Sequence, residues 1–334
     1  MNVIDGAQHA RAEKLKAATD RLEAGIADLF NSDNYAAYLT AMSKFHRYSY
    51  GNVVLILSQF PEAGQVAGIR TWNKFGRTVK KGEHGIEILV PCTYTRTEQR
   101  NKIDPDTQNQ VLDENGQPVR EQAAIQHLRF KVGHVFDISQ TEGREMPDIV
   151  CELSGDVAQY EAVCSALREV SPVLIEFGPL PDDVRGSYNH ADQKIIIRPE
   201  MSQAQTVKTM IHEITHSKLH ALPVEYGIVI GRHEKNQGTR EVEAEGVAYV
   251  VCQHFGIDTS EYSFGYVAGW DKGKDMTRLK ASLGCIRDTA DEIIRSIETK
   301  CPELAPPEPE PEEKTPGPRR PKRNRRTAPA RQTR

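Results

Sequence analysis

The sequence predicts an α+β protein of two domains followed by a disordered tail. Apolar residues recur at helical spacing near the N-terminus and again through the second half. Short alternating segments between them read as strands. From residue 301 the chain turns to Pro, Glu, Arg and Lys with almost no apolar side chains. With 334 residues, 38 % of them hydrophobic, there is material for two separate cores.

The elements follow in order. Residues 8–29 form an amphipathic helix through Leu15, Ala18, Leu22, Ile26 and Leu29, and a second helix covers 35–44. At Gly51-Asn52 the pattern changes, leading into the apolar run 53–57, with strand-like segments at 66–69, 86–90 and 130–136. The polar stretch 97–126, with Asp104-Pro105 and Asn115-Gly116, predicts an exposed, mobile hairpin insertion. Residues 141–150 read as a linker that closes a first domain at 1–140. A second domain at 151–300 then has a helix over 155–169, strands at 173–177 and 194–198, and a helix from Ser202, where Ser202 and Gln205 fit a capping box. A further helix runs from Thr239 to about Phe255, and a pair of helices spans 274–299. The segment 301–334 cannot bury a core and is expected to be disordered.

Charge and composition narrow the function classes. Residues 319–334 carry eight Arg or Lys and no acid, so against a whole-chain charge of −4 the first 318 residues sum to −12. A nucleic-acid surface on the folded part must therefore be a local patch. The longest apolar runs are far too short to span a bilayer, so no membrane partner is expected. The first residues show no basic and apolar leader pattern. Six scattered cysteines without CxxC fit a reducing cytoplasm and exclude a zinc ribbon.

The chemistry concentrates in two places. His212-Glu213-Ile-Thr-His216 is an HExxH pattern. On a helix its two imidazoles share a face and can reach one ion, Zn2+ by donor type with Mn2+ as another divalent choice, while Glu213 flanks it as a base for a bound water. In the helix that begins near Thr239, Glu241 and Glu245 lie four apart on an otherwise small and apolar face. Burying both unpaired would be costly. A metal for Glu241 and the free N–H of a metal-bound histidine for Glu245 would resolve this. Glu243 points about 200° away and is expected to be solvated. His190, His220, His233, His254, Tyr188, Tyr226 and Tyr266 are open candidates for stabilising an oxyanion.

The second place is residues 44–81, where basic and aromatic residues interleave and only Glu62 is acidic. Such a mixture suits single-stranded nucleic acid, with cations along the backbone and rings under the bases. Trp72 is the first candidate for stacking, then Tyr48 and Tyr50. Arg47, Arg70, Lys74, Arg77, Lys80 and Lys81 are the candidate phosphate contacts. Gly82 and Gly85 suit a tight turn presenting Lys80 and Lys81.

These motifs resemble a known family. His212-Glu213-x-x-His216 followed by Glu241-x-x-Ala244-Glu245 resembles gluzincin-like metallopeptidases of the IrrE/ImmA type, and is similar to the C-terminal domain of ArdC-like antirestriction proteins, over roughly 150–300. The ImmA-type motif usually has Asn or Asp where Glu245 stands. Tyr48-Ser-Tyr-Gly51-Asn52, Val66-Ala-Gly-Ile-Arg70-Thr-Trp72 and Gly76-Arg77-x-Val79-Lys80-Lys81-Gly82-Glu-x-Gly85-Ile86 are similar to the N-terminal single-stranded-DNA-binding domain of the same proteins, over about 10–140. The resemblance implies an N-terminal mixed α/β domain that binds single-stranded DNA and a C-terminal zincin-like metallopeptidase domain with a protein or peptide substrate. It also implies a role in protecting incoming plasmid or conjugative DNA.

Overall fold

The computed structural model describes residues 3–105, 107–146, 157–257 and 276–305. The chain is a mixed α+β protein. It opens with α1 (Val3–Asp28), α2 (Ser32–Phe45) and α3 (Tyr50–Gln59), then β1 (Val66–Ala67), α4 (Ile69–Lys74) and β2 (Arg77–Val79). A long hairpin, β3 (Ile86–Asn101) with β4 (Arg120–Asp137), and the short β5 (Thr141–Gly143) complete the first part. The second part runs α5 (Val157–Val170), β6 (Leu174–Phe177), β7 (Gly186–Asn189), β8 (Lys194–Ile197), α6 (Gln203–Leu219), β9 (Val224–Glu225), β10 (Ile228–Val229), α7 (Gln237–His254) and α8 (Met276–Lys300). Among the described residues no helix is long and apolar enough to cross a membrane.

Several elements differ from the sequence reading. The apolar run 53–57, which contains the β-branched Val53, Val54 and Ile56, is helical, inside α3. Ser49 caps its start by accepting from Asn52 N–H, and Val53, Val54, Leu55 and Ile56 are all buried. The intrinsic penalty for β-branched residues in a helix is at most about 0.7 kcal/mol each, whereas burying such a side chain contributes roughly 1.5–3 kcal/mol. Packing wins. Two amides on α3 also close the free edge of β3: Asn52 exchanges hydrogen bonds with the Leu89 backbone, and Gln59 does the same with Glu87. Ile69, read as the end of a strand, begins α4. The polar insertion does form a hairpin, its arms pairing from Ile86 opposite Val135 out to Asn101 opposite Arg120.

Within the segment read as a linker, residues 141–143 form β5, which pairs antiparallel with β2; residues 147–150 lie outside the described residues. The region read as a final pair of helices is one helix over its described part, α8. The tail does not begin at residue 301: Cys301 and Leu304 are buried, and Pro302–Leu304 form a 3-10 turn against α8. The remainder of the expected tail, 306–334, lies outside the described residues.

The two parts share a continuous core. Tyr35, Tyr38 and Met42 of α2 belong to the same buried cluster as Val247, Val250 and Val251 of α7 and Ile286 and Ile293 of α8. Polar contacts cross the same seam, including Thr40 Oγ1 with Tyr249 Oη at 2.9 Å and Lys280 with Glu23. In the second part the sheet order is β6-β8-β7, with β6 and β8 parallel and β7 antiparallel at the edge beside α6.

Candidate metal centre and nucleic-acid surface

Helix α6 places His212 and His216 one turn apart. Ser202 caps its start by accepting from Gln205 N–H, half of the expected capping box, while the Gln205 side chain turns to Thr209. Helix α7 packs against α6 and brings Glu241 opposite the histidines. His212 Nε2 and His216 Nε2 are 3.0 Å apart, and Glu241 Oε2 lies 3.5 and 3.6 Å from them. Ligand atoms bound at 2.0–2.2 Å around one tetrahedral centre are spaced by roughly 3.3–3.6 Å, so the three atoms could hold a single ion. Two imidazole nitrogens and a carboxylate oxygen are also a donor set that zinc accepts. The two imidazoles hold Glu241 well below the usual carboxylate range. Burial pulls His212 down, but Glu241 and Glu213 outweigh it and its pKa ends above the ordinary value.

Glu213 is buried beside this triangle, and burial raises its pKa despite the two nearby histidines. The edge strand β7 lies over it: the Tyr188 backbone hydrogen-bonds the Glu213 carboxylate, and a Cβ on Gly186 would come within 2.9 Å of Glu213 Cγ. A cleft of about 720 Å³ opens here, lined among others by His212, Glu213, Glu245, Arg185 and Lys208.

The outer partner of His216 is His220 rather than Glu245. Glu245 is half-buried in the cleft wall, its pKa raised by burial. Glu243, expected to be solvated, is 0 % exposed. Its carboxylate accepts from Lys235 Nζ at 2.7 Å, from Ser282 Oγ and from His220 Nε2 at 2.8 Å. Burial works to raise its pKa, but these hydrogen bonds outweigh it and leave the group lowered. Glu243 does face away from Glu241, as the helical angle requires, but that face of α7 packs on α8 and the end of α6.

This network fixes a tautomer. A carboxylate only accepts, so His220 Nε2 carries the proton and His220 Nδ1 is left as an acceptor. That nitrogen is 2.9 Å from His216 Nδ1, which must then carry its own proton. His216 Nε2 is left with a lone pair aimed at the triangle, the state a metal ligand needs. His220 was foreseen only as an oxyanion candidate, and no sequence signal marked Lys235 or Ser282.

Of the other oxyanion candidates, His190 and His233 lie against each other near the site, with tilted rings whose centroids are 5.2 Å apart and pKa values lowered by burial first, then by Arg240. Tyr188 stands on β7, with its ring against His190. Tyr226 is fully exposed in the turn between β9 and β10, His254 belongs to a different cluster, and Tyr266 lies outside the described residues.

In the first part, Trp72 is 1 % exposed and its indole N–H donates to Phe136 O at 2.9 Å, so it is a core residue that cannot stack on a base. Tyr48 is largely buried, its hydroxyl donating to Val66 O and its pKa pushed up to about 12 by burial. Tyr50 is half-buried against the core. Arg77 is tied to Thr141, and exposed Arg47 pairs with Glu298. Arg70, Lys74, Lys80 and Lys81 are exposed. Gly82, at φ +93°, makes the turn beyond Lys80 and Lys81, and a Cβ at Gly85 would lie 2.9 Å from His134 Cβ and Phe136 Cζ. Sequence reading missed the hairpin face: Leu128, Arg129, Phe130 and Lys131 of β4 are all exposed, and the Arg129 guanidinium lies 4.0 Å over the ring of Tyr94.

Residues 13–136, from α1 to the end of β4, match the N-terminal domain of anti-restriction factor ArdC. That segment of the chain is ArdC-like. A protein of Bacillus anthracis known only as uncharacterized protein pXO2-81 is 27 % identical over 325 residues, covering 87 % of this chain and 52 % of its own length. DNA primase TraC of Escherichia coli is 24 % identical over 235 residues, or 68 % of this chain and 15 % of TraC. The chain thus spans about half of the first relative and a small part of the second. Two crystal structures of the antirestriction protein ArdC from plasmid R388 are also similar. The metal-free one is 19 % identical with a TM-score of 0.42, covering 75 % of this chain and 85 % of that one. The Mn(II)-bound one is 17 % identical with a TM-score of 0.48, covering 83 % and 97 %.

Proposed function

We propose that this is a cytoplasmic antirestriction-type protein that binds single-stranded DNA through its first part and carries a zinc metallopeptidase-type site in its second. Its role would be to protect incoming plasmid or conjugative DNA. The observation that carries the enzymatic half is the triangle of His212 Nε2, His216 Nε2 and Glu241 Oε2 with Glu213 buried beside it. A zinc ion held there would lower the pKa of its water to about 7 and polarise a carbonyl. Glu213, with its raised pKa, would take the proton of the attacking water and return it to the leaving nitrogen. Tyr188 and Gly186 keep the Glu213 carboxylate in place. As an edge strand, β7 offers backbone groups to an extended peptide laid along the cleft.

For DNA, the exposed Arg70, Lys74, Lys80 and Lys81 supply phosphate contacts, and Phe130, Tyr94 and Arg129 on the hairpin supply ring and guanidinium faces. Phe130→Ala should weaken single-strand binding by roughly 1–3 kcal/mol, whereas Trp72→Phe should leave affinity unchanged. Fluorescence anisotropy with single-stranded and duplex oligonucleotides measures both, and equal affinity for the two forms would end the stacking proposal. The enzymatic half is tested by digesting a peptide library with the full chain, with and without single-stranded DNA. Glu213→Gln should retain metal and lose cleavage by about 10²–10⁴-fold. Intact DNA binding without cleavage by the parent chain would make the second part a scaffold. DNA-independent cleavage of one repressor-type protein would favour a regulatory protease.

A further inference from the structure

A second group of the same three residue types lies away from the cleft. His46 follows the last turn of α2, His254 ends α7 and Glu298 is near the end of α8, and their potential ligand atoms lie within 4.8 Å of one another. We propose that His46, His254 and Glu298 form a second, structural metal site, suited to zinc or a similar borderline divalent cation, that clamps α2 to α7 and α8.

The outer hydrogen bonds of the two rings determine what their inner nitrogens can do. His254 Nδ1 is 2.9 Å from the carbonyl oxygen of Ser43, which can only accept, so that nitrogen carries the proton. His46 Nδ1 is 2.8 Å from Asp291 Oδ1, again an acceptor, and carries a proton too. Metal-ligating histidines are oriented in this way, with the outer N–H given to a carbonyl or carboxylate. As neutral imidazoles, both rings then present a lone pair at Nε2. The His254 lone pair faces Glu298 Oε1 at only 3.2 Å, and the rings lie edge to face with centroids 4.9 Å apart. Electron-rich atoms gathered this closely need a cation among them. A proton on His254 would engage only the His254–Glu298 pair, while one divalent ion engages all three groups. Arg47 approaches the other oxygen, Oε2, at 3.3 Å and leaves Oε1 to the cluster.

Burial sets the site's character. The three side chains are no more than 8 % exposed, so little room is left for a substrate, and a closed N/N/O site of this kind holds structure. It also spans the molecule's seam. His46 falls within the segment that matches the ArdC N-terminal domain, whereas His254 and Glu298 belong to the second part.

The test uses the full-length chain with His212→Ala and His216→Ala, which removes the cleft site and makes the outcome independent of the enzymatic proposal. After loading with zinc and dialysis, elemental analysis should find about one zinc per chain, and cobalt substitution should give the visible absorption of a low-coordinate N/O site. Adding Glu298→Gln, whose amide can still donate to His254 Nε2, should abolish both signals and leave the melting temperature of the metal-free chain unchanged. His46→Gln should have the same effect on metal content. A parent chain free of zinc after dialysis would overturn the proposal, as would zinc retained in Glu298→Gln. Should both added variants fail to fold, the parent chain decides: zinc must raise its melting temperature, and no rise overturns the site.

Discussion

Among the described residues, two clusters contain two histidines and a glutamate, and their surroundings differ. At His212, His216 and Glu241 the glutamate side chain is 36 % exposed and the group opens onto a cleft. At His46, His254 and Glu298 the side chains are enclosed between three helices. A carboxylate, Glu213, is buried beside the first group where it could act as a base, whereas Arg47 stands at the second. Both have outer hydrogen bonds that turn lone pairs inward, through His220 and Glu243 in one and through Asp291 and Ser43 in the other. Donor type suits both to a cation. Solvent access and the neighbouring charge are the grounds on which we propose chemistry for one and structure for the other.

The comparison is broken most strongly at Glu243. Glu243→Ala should destabilise the chain by about 3–5 kcal/mol, because it leaves the Lys235 ammonium and the His220 ring without their buried carboxylate. Glu245→Ala, on the same helix but in the cleft wall, should cost far less. Urea denaturation of the two variants measures the difference, and equal losses would refute the outer-partner role given to Glu243.

Acid should act next, through the enclosed cluster. Burial, with His254 adding to it, lowers the His46 pKa from 6.5 to about 4. Between those values the unfolded chain binds a proton that the folded chain does not, so stability falls as the pH drops through this window. Its slope is at most about 1.4 kcal/mol per pH unit from this group. Denaturation midpoints measured from pH 7 to 4 on metal-free protein should show the loss, and His46→Gln should flatten the slope.

Gly186→Ala sharpens the open end of the comparison. Its Cβ would stand 2.5 Å from Thr209 Cγ2 and 2.9 Å from Glu213 Cγ, an overpacking that costs roughly 1–3 kcal/mol. Peptide cleavage should fall while metal content at both clusters stays unchanged; unaltered cleavage would separate β7 from the Glu213 position. The smallest effect is expected at Arg47. This arginine is 57 % exposed, so Arg47→Ala should cost no more than about 1 kcal/mol, read as a small shift in thermal midpoint.

The sequence by itself determined the local chemistry: the HExxH pair, Glu241 as its partner, the helical periodicities of α1, α6 and α7, and the hairpin between β3 and β4. Each depends on spacing along one element, where 3.6 residues per turn or a two-residue alternation is enough. Tertiary structure decided the rest. Residues 53–57 became helix because packing outweighed propensity, and Trp72 left the candidate binding face because Phe136 O offered its N–H a buried acceptor. Glu243 exchanged solvent for Lys235, Ser282 and His220, which come from a loop and two other helices. His46 meets His254 and Glu298 only because α2 packs on α7 and α8. Partners far apart in the chain leave no periodic mark, so which face of a helix is covered, and by what, is settled only when the elements pack.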